Sequence, residues 1–542
     1  MRTSASLAHR GLGRWAAVLT GAVLLAPALA ALATTSANAA PGDLDPAFAD
    51  GGRTALGNGW RVVALDDLTD DRFVTVSIRP SDTDSLDVRR FTPTGVADPS
   101  FAGDGNVQVG GPVTWVAPAV AVDRNGLTYV SAFADTAGFS RVWRFTGAGA
   151  LDPAWGAGTG RVDFNGSRFL DIALQPDGRL VVANGASVYR LTAAGAVDST
   201  FGASGGTTLG TGQIDSLQSL ADGSIVAAGR STTSVDVFRL GRNGGIDSDF
   251  GAAGRATYRP TPPLGWAVAA LQGVTVGVQN DGRVVVATGI DEQNTTNGNH
   301  RFPLLVTRFT AGGGTDARFT TTRDYAFSIS GRLSIQADDK VIVPIVDGPR
   351  ASLLRLEPDG RRDTTFGTNG GWTDPQVDTR PTATLVQRPG RIVVTGVATG
   401  QTGLLWAFRG DPTPKCEGRY ATAYGGSASD VLVGGDGDDV IVGGKGKDSI
   451  EAGAGADRVC GGQGKDSLVG GSGQDRLVGG GDADRVWGYG GGDRVDGGGG
   501  ADRLYGGEGK DKVNGGQGDD QLYGGPGHDR LHGGPGRNQI HP

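Results

Sequence analysis

Twelve aspartates recur at every ninth residue near the C-terminus: Asp430, Asp439, Asp448, Asp457, Asp466, Asp475, Asp484, Asp493, Asp502, Asp511, Asp520 and Asp529. The next position in phase holds Asn538. Carboxylates stacked at a fixed period repel one another in rows unless something neutralises them, and a hard divalent cation does so. Carboxylates joined by turn carbonyls supply the roughly six to eight oxygens that calcium takes.

The elements that would position these groups follow from the same period. Residues 425–541 divide into 13 consecutive nine-residue units with no insertion or deletion, typified by Gly515-Gly516-Gln517-Gly518-Asp519-Asp520-Gln521-Leu522-Tyr523. The aspartate is position six, and position eight is aliphatic throughout, from Leu432 and Ile441 to Leu531 and Ile540. One large aliphatic residue in nine cannot build an ordinary core. It builds a ladder if each unit is half a coil and equivalent residues stack inward. The triplet around position eight then predicts a short strand, and the preceding GGxGxD a turn with positive φ, which Gly permits. Parallel strands stacked coil on coil satisfy their backbone groups against neighbouring coils. Gly is 39 of these 117 residues, but a period of nine rather than three excludes a collagen helix. Fixed Asp and aliphatic phases exclude a disordered Gly-rich linker.

This pattern, GGxGxDxUx with U aliphatic, resembles the RTX (repeats-in-toxin) nonapeptide. The resemblance implies a calcium-binding parallel β-roll. Each ion would sit between turns two units apart, held by turn carbonyls and position-six aspartates. Ala428, Ala452, Asp482, Tyr489, Pro535 and Asn538 depart from the pattern and put the turns they touch in doubt. Lys447, Lys465 and Lys510 stand at position five beside the ligand position, where they are expected to weaken affinity locally.

A longer repeat fills residues 44–411. Its marker is Asp-x-x-Phe/Trp before a Gly-rich turn, at Asp45, Asp98, Asp152, Asp198, Asp247, Asp316 and Asp363. Between markers come a tight turn with an aliphatic run, as in PDGRLVVANG (176–185) and NDGRVVVATG (280–289), and an Arg-aromatic or Arg-aliphatic strand before the next marker, as at Arg144-Phe145 and Arg190-Leu191. Asp-Gly before a β-branched run signals a hairpin. Seven such units predict a seven-bladed β-propeller, closed by pairing the segment near Arg53–Leu56 with the strands near 403–409. The repeat is similar to the delta-sixty repeat family, a resemblance that implies a repeat identity and no activity. The marker aspartates are expected to bond turns, and the aromatics to wedge between blades. One spacing is long, with extra residues at 290–303 that include His300. An inserted polar loop suits binding, and equally a tolerated surface insertion.

The expected fold is therefore all-β, a propeller over 44–411, a linker over 412–424 (PTPKCEGRYATAY) and a roll over 425–541. Residues 1–39 read as a signal peptide, with Arg2, Arg10 and Arg14 before an apolar stretch and Ala37-Asn38-Ala39 at the cleavage site. An uncleaved anchor is the alternative. Cleavage takes the formal charge from −8 to −11, against a nucleic-acid partner, and leaves no membrane span. The expected location is secreted, extracellular. With His 5 and Cys 2, little material exists for zinc or haem. HExxH and P-loop motifs are absent from the sequence.

Three functions stay open: a secreted calcium-binding protein whose propeller binds an extracellular glycan or protein, a glycosidase or lyase on the propeller, and a structural extracellular-matrix component. A carboxylate-lined propeller channel would favour the second. The only cysteines, Cys416 and Cys460, are expected to pair in an oxidising compartment, clamping the entry to the roll. Two unrelated thiols are the alternative. The two domains are expected to be separable, the propeller staying folded without calcium.

Overall fold

Aliphatic runs behind tight turns form hairpins, and this chain uses them four strands at a time. The structure, a computed structural model, describes residues 44–542 apart from 50–51, 59–60, 69, 80–81, 111–114, 124, 166–168, 320–321, 325–326, 330, 348–349, 368–369, 374–378, 388–389, 399–401, 411–413 and 427–428. The chain divides into Met1–Asn38 and Ala39–Pro542. The signal segment read over 1–39 lies outside the described residues.

Seven antiparallel sheets of four or five strands follow one another from Arg53 to Phe408. The first comprises Arg61–Asp67, Phe73–Arg79, Asp82–Phe91 and Asn106–Gly110. The seventh comprises Thr379–Val386, Ile392–Ala398 and Thr402–Phe408, completed by Arg53–Asn58 from the start of the repeats, with Arg53 opposite Trp406. The ring is thus closed by strand exchange at the place the repeat count requires. Among the described residues no helix is long and apolar enough to cross a membrane.

The repeat markers hold neighbouring blades together. Asp98 accepts from the Ser100 amide (3.0 Å) and from Arg90 Nε (2.7 Å), the Arg near the end of the preceding strand. Arg90 lies over the Phe101 ring at 4.7 Å and donates to the Gly147 carbonyl of the next repeat at 2.6 Å. The same eight-residue Arg–Asp pair recurs at Arg144–Asp152, Arg190–Asp198, Arg239–Asp247, Arg308–Asp316 and Arg355–Asp363. In the closing blade Asp45 takes Arg391 instead, at 2.6 Å. The marker aromatics are buried against a turn of the next repeat. A Cβ added at Gly195 would meet the Trp155 ring at 2.9 Å, and one at Gly244 would meet Phe201 at 2.7 Å. Burial alone would raise the Asp98 carboxyl, but Ser100, Arg72 and Arg90 outweigh it and hold it at about 2.

The long repeat extends a hairpin rather than adding a bare loop. Strands Trp266–Val278 and Val284–Asn294 run on together, and His300–Arg301 pairs with the second. His300 Nδ1 lies 2.6 Å from Asp291 Oδ1, and Arg301 sits over Trp266 at 3.8 Å.

From Ala423 onward the chain winds into two seven-stranded parallel sheets, successive half-coils alternating between them. Residues eighteen apart pair, as in Ile450 with Leu468 and Val459 with Leu477. Position eight supplies the core: Leu432, Ile441, Ile450, Val459, Leu468, Leu477, Val486, Val495, Leu504, Val513 and Leu522 stack in one buried cluster. Ile540, in the last coil, is 46 % exposed for want of a neighbour. The stretch 412–424 carries a small hairpin, Lys415–Cys416 with Arg419–Tyr420. Tyr424 N donates to Ala337 O on the propeller at 3.0 Å.

From Gly444 onward, position two of the unit sits in the left-handed region, for example Gly471 at φ 117° and Gly480 at φ 117°. Tyr489 occupies this position at φ 71° with its ring 57 % exposed. A side chain in that region costs about 1–2 kcal/mol, partly offset by the greater chain entropy that Gly would lose. Tyr489→Gly is therefore expected to stabilise the roll by up to about 1 kcal/mol, raising its thermal midpoint. A lowered midpoint would show that the ring contributes packing that the backbone reading omits.

Candidate metal centre

The twelve position-six aspartates form two rows, one along each series of turns. Every carboxylate from Asp448 to Asp529 accepts through Oδ1 from the amide of the aspartate eighteen residues earlier. Examples are Asp448 N to Asp466 Oδ1 (2.9 Å) and Asp457 N to Asp475 Oδ1 (3.0 Å). Asn538 continues the row as a neutral terminator, its Oδ1 taking Asp520 N at 2.9 Å. The sequence departure that put this turn in doubt thus keeps the hydrogen bond and drops the charge.

The second oxygen is left over. Oδ2 of Asp430, Asp448, Asp457, Asp466, Asp475, Asp484, Asp493, Asp502, Asp511 and Asp520 is buried and without a hydrogen-bond partner. Position-one Gly leaves the space around it open. A Cβ on Gly461 would fall 2.5 Å from Asp466 Oδ2 and 2.6 Å from Gly479 O. Carboxylate oxygen and glycine carbonyl thus face one small volume in the turns that begin with Gly, a cradle that a larger side chain would fill; in the Asp457 turn Ala452 already stands there.

An orphaned, buried carboxylate oxygen is costly, and the titration of these groups reflects it. Burial, reinforced by neighbouring carboxylates in the row and only partly offset by the amide bond, raises Asp448, Asp457 and Asp493 to about 6. The same causes raise Asp502 to about 6 and Asp484 to about 7. The donors suit a hard cation: all are oxygens, carboxylates and carbonyls alternate, and no thiol or imidazole intrudes. Among the described residues no three His, Cys, Asp or Glu side chains converge, so an ion there would draw much of its shell from turn carbonyls.

Cys416 and Cys460 lie 5.7 Å apart between Cα atoms, disulfide-bonded. Cys416 is fully buried with Ala421, Val440 and Val442. The entering strand Ala423–Gly426 pairs in parallel with Val440–Lys445 beside it.

The propeller channel is polar. A cavity of about 480 Å³ is lined by first strands of five blades, with Asp67, Ser216, Arg332 and Gln336 among its residues, and by Thr422. Three channel carboxylates tie blades together. Asp66 Oδ2 accepts from Val122 N at 2.7 Å, Asp171 Oδ2 from Leu217 N at 2.8 Å, and Asp215 Oδ2 from Val274 N at 3.1 Å, each on the next blade. Arg332 pairs with Asp171. Sequence reading missed these acids because no motif marks them. Their position on each blade's first strand is visible once the strands are assigned.

The geometry agrees with the comparisons. The family described as RTX calcium-binding nonapeptide repeat matches in four copies, over residues 424–459, 460–495, 487–522 and 505–540. The C-terminal part of the chain is therefore made of RTX repeats. A second family, described as "Domain of unknown function (DUF5122) beta-propeller", matches residues 175–201 within the N-terminal repeats. Comparison with curated proteins found no match. Solved structures with similarity include a protein of unknown function from Bacteroides caccae (10 % identity, 50 % of this chain and 84 % of that one, TM-score 0.29). A Lactobacillus plantarum protein shows 18 % identity over 54 % of this chain and 80 % of its own, TM-score 0.35. Drosophila Plexin A in complex with Semaphorin 1b shows 9 % identity over 68 % and 88 %, TM-score 0.38.

Proposed function

We propose that this chain is a secreted calcium-binding protein. Its roll holds a line of Ca²⁺ ions along each row of turns, and its propeller is a rigid scaffold for an extracellular interaction. The observation that carries the calcium reading is the buried, unpartnered Oδ2 on ten position-six aspartates, nine of them facing a cradle that Gly leaves open at position one and the tenth, Asp457, facing Ala452. Asp430 through Asp529 would hold the ions together with turn carbonyls. Bound calcium supplies the positive charge that the rows lack and joins successive coils. The Cys416–Cys460 bond clamps the entering strand against the first coils, where a solenoid lacks a neighbour on one side.

The scaffold reading of the propeller is supported by where its carboxylates are spent. Asp66, Asp171 and Asp215 accept backbone amides across blades, and the marker aspartates accept paired arginines. Both sets serve the ring, which leaves the surface, with the extended hairpin that carries His300, for an interaction.

Counting bound calcium in two variants tests the ligand phase. Asp466→Ala should lower the number of ions bound by the intact protein, whereas Lys465→Ala, one residue earlier and exposed, should leave it unchanged. Equal losses from both would place the ligands elsewhere.

A further inference from the structure

Position seven of the nonapeptide points outward, and on one of the two parallel sheets it carries a file of cations. Arg458, Arg476, Arg494, Lys512 and Arg530 are in-register neighbours on five consecutive strands, so they stand about 4.8 Å apart along the roll. Four of them, Arg476 to Arg530, are exposed. Like charges directly opposite on adjacent strands destabilise a sheet. Little on the molecule relieves this. Glu417 reaches Arg476 at 3.4 Å, and no ion pair is found for Arg494, Lys512 or Arg530 among the described residues. The row beside them, position nine, runs Val442, Cys460, Val478, Asp496, Asn514 and His532, and its one carboxylate accepts from Asn514 Nδ2 at 3.2 Å. The opposite sheet is different. There position seven carries Ser449, Ser467, Arg485, Arg503, Gln521 and Gln539. Beside it, Trp487, Tyr505, Tyr523 and His541 stack ring on ring.

We propose that the Arg458–Arg530 file is a docking surface for a linear acidic polysaccharide lying along the roll, with one anionic group opposite each coil. The chain as a whole is acidic, so a file of cations of which Arg494, Lys512 and Arg530 have no ion pair among the described residues is a local feature that an extended polyanion complements. The strand spacing is close to the length of one pyranose unit, which lets a carboxylate or sulfate on successive sugars meet successive guanidinium groups, the side chain best suited to planar bidentate pairing. A single-stranded nucleic acid would use aromatic platforms between its cations, and on this sheet the adjacent row offers Val478, Asp496 and Asn514 instead. The proposal goes beyond calcium binding but rests on a folded roll.

Dextran sulfate, with uncharged dextran as control, is the probe, presented to the full-length protein in calcium. Wild-type protein should bind dextran sulfate and not dextran. The variant R494Q/K512Q/R530Q should weaken that binding by about tenfold or more and flatten its salt dependence by roughly two to three counter-ions. R485Q/R503Q, on the other sheet, should stay within about twofold of wild type. Both variants should keep the wild-type calcium count and far-UV spectrum, since neither touches a carboxylate row. Three results would overturn the assignment: unchanged binding by the triple variant, an equal loss in the double variant, or tighter binding of single-stranded DNA than of dextran sulfate. Failure of the calcium reading would show separately, as wild-type protein that binds no calcium.

Discussion

Chelating calcium is expected to unfold residues 425–541 while the propeller stays folded. The roll's apolar core is one aliphatic residue per half-coil, and against it stand two rows of buried carboxylates with an oxygen each unsatisfied. At about tenfold excess over a Kd near 10⁻⁴ M each ion adds about 1.4 kcal/mol. Some ten sites give on the order of 10 kcal/mol, enough to decide whether the roll folds. Hydrogen exchange reads this directly. Amides such as Ser449 N (to Asp430 O, 2.8 Å) and Arg476 N (to Asp457 O, 2.8 Å) should lose protection in chelator, while blade amides keep theirs. Joint loss in both regions would show one cooperative unit.

Acid should partly substitute for calcium. An unfolded Asp titrates near 3.8, and the metal-free roll holds Asp448 at about 6 and Asp484 at about 7. Because the folded values are raised, this contribution is complete below about pH 4 and is lost as pH rises through 6 to 7. In chelator the roll should therefore regain protection on acidification from pH 7 to about 4.5, and calcium affinity should fall over the same range as protons compete. The propeller runs the other way. Asp98 and Asp363 are held below the ordinary carboxylate range, so their contribution is present at neutral pH and fades only as pH falls below about 4.

Asp363→Ala is expected to cost the propeller about 3–5 kcal/mol, because it leaves a buried cation without its carboxylate. Arg355 and Asp363 are both fully inaccessible, joined at 2.7 Å through Nε and 2.6 Å through Nη2. Lys340 adds a contact at 3.2 Å, and Thr365 donates from its amide at 2.9 Å and its hydroxyl at 2.6 Å. Arg355 also covers Phe366 at 4.5 Å, so losing the carboxylate disturbs the wedge to the next blade. Urea unfolding in saturating calcium measures the loss. A change under about 1 kcal/mol would mean that water reaches the guanidinium and that the pair behaves as a surface one.

The roll was legible in the sequence because a nine-residue period leaves one arrangement for position eight, and Leu468 or Val495 has nowhere to go but inward. The propeller was legible as seven units because each carries a marker, yet the marker's chemistry was half read. Asp98 and Phe101 were expected in turns and wedges. The Arg eight residues before six of the seven marker Asp residues was seen only as a strand landmark, since its side chain reaches the carboxylate only once the hairpin folds back. The buried Gln175, Gln279 and Gln387 escaped notice too. Each donates to a turn carbonyl of the next blade, Gly223 O, Asp339 O and Asp71 O, an interaction that depends on ring closure. The file of cations at position seven was visible as letters. Its meaning needed the pairing of residues eighteen apart, which places alternate units on one sheet and separates Arg494 and Lys512 from Arg503 between them.

Anomalous diffraction from crystals grown in calcium tests the central claim most directly. The account predicts two lines of peaks along the roll, each within coordination distance of Oδ2 of the position-six aspartates and of carbonyls in the glycine turns. Peaks at the position-five acids Asp438 and Asp519 instead, or no peaks along the turns at saturating calcium, would contradict it.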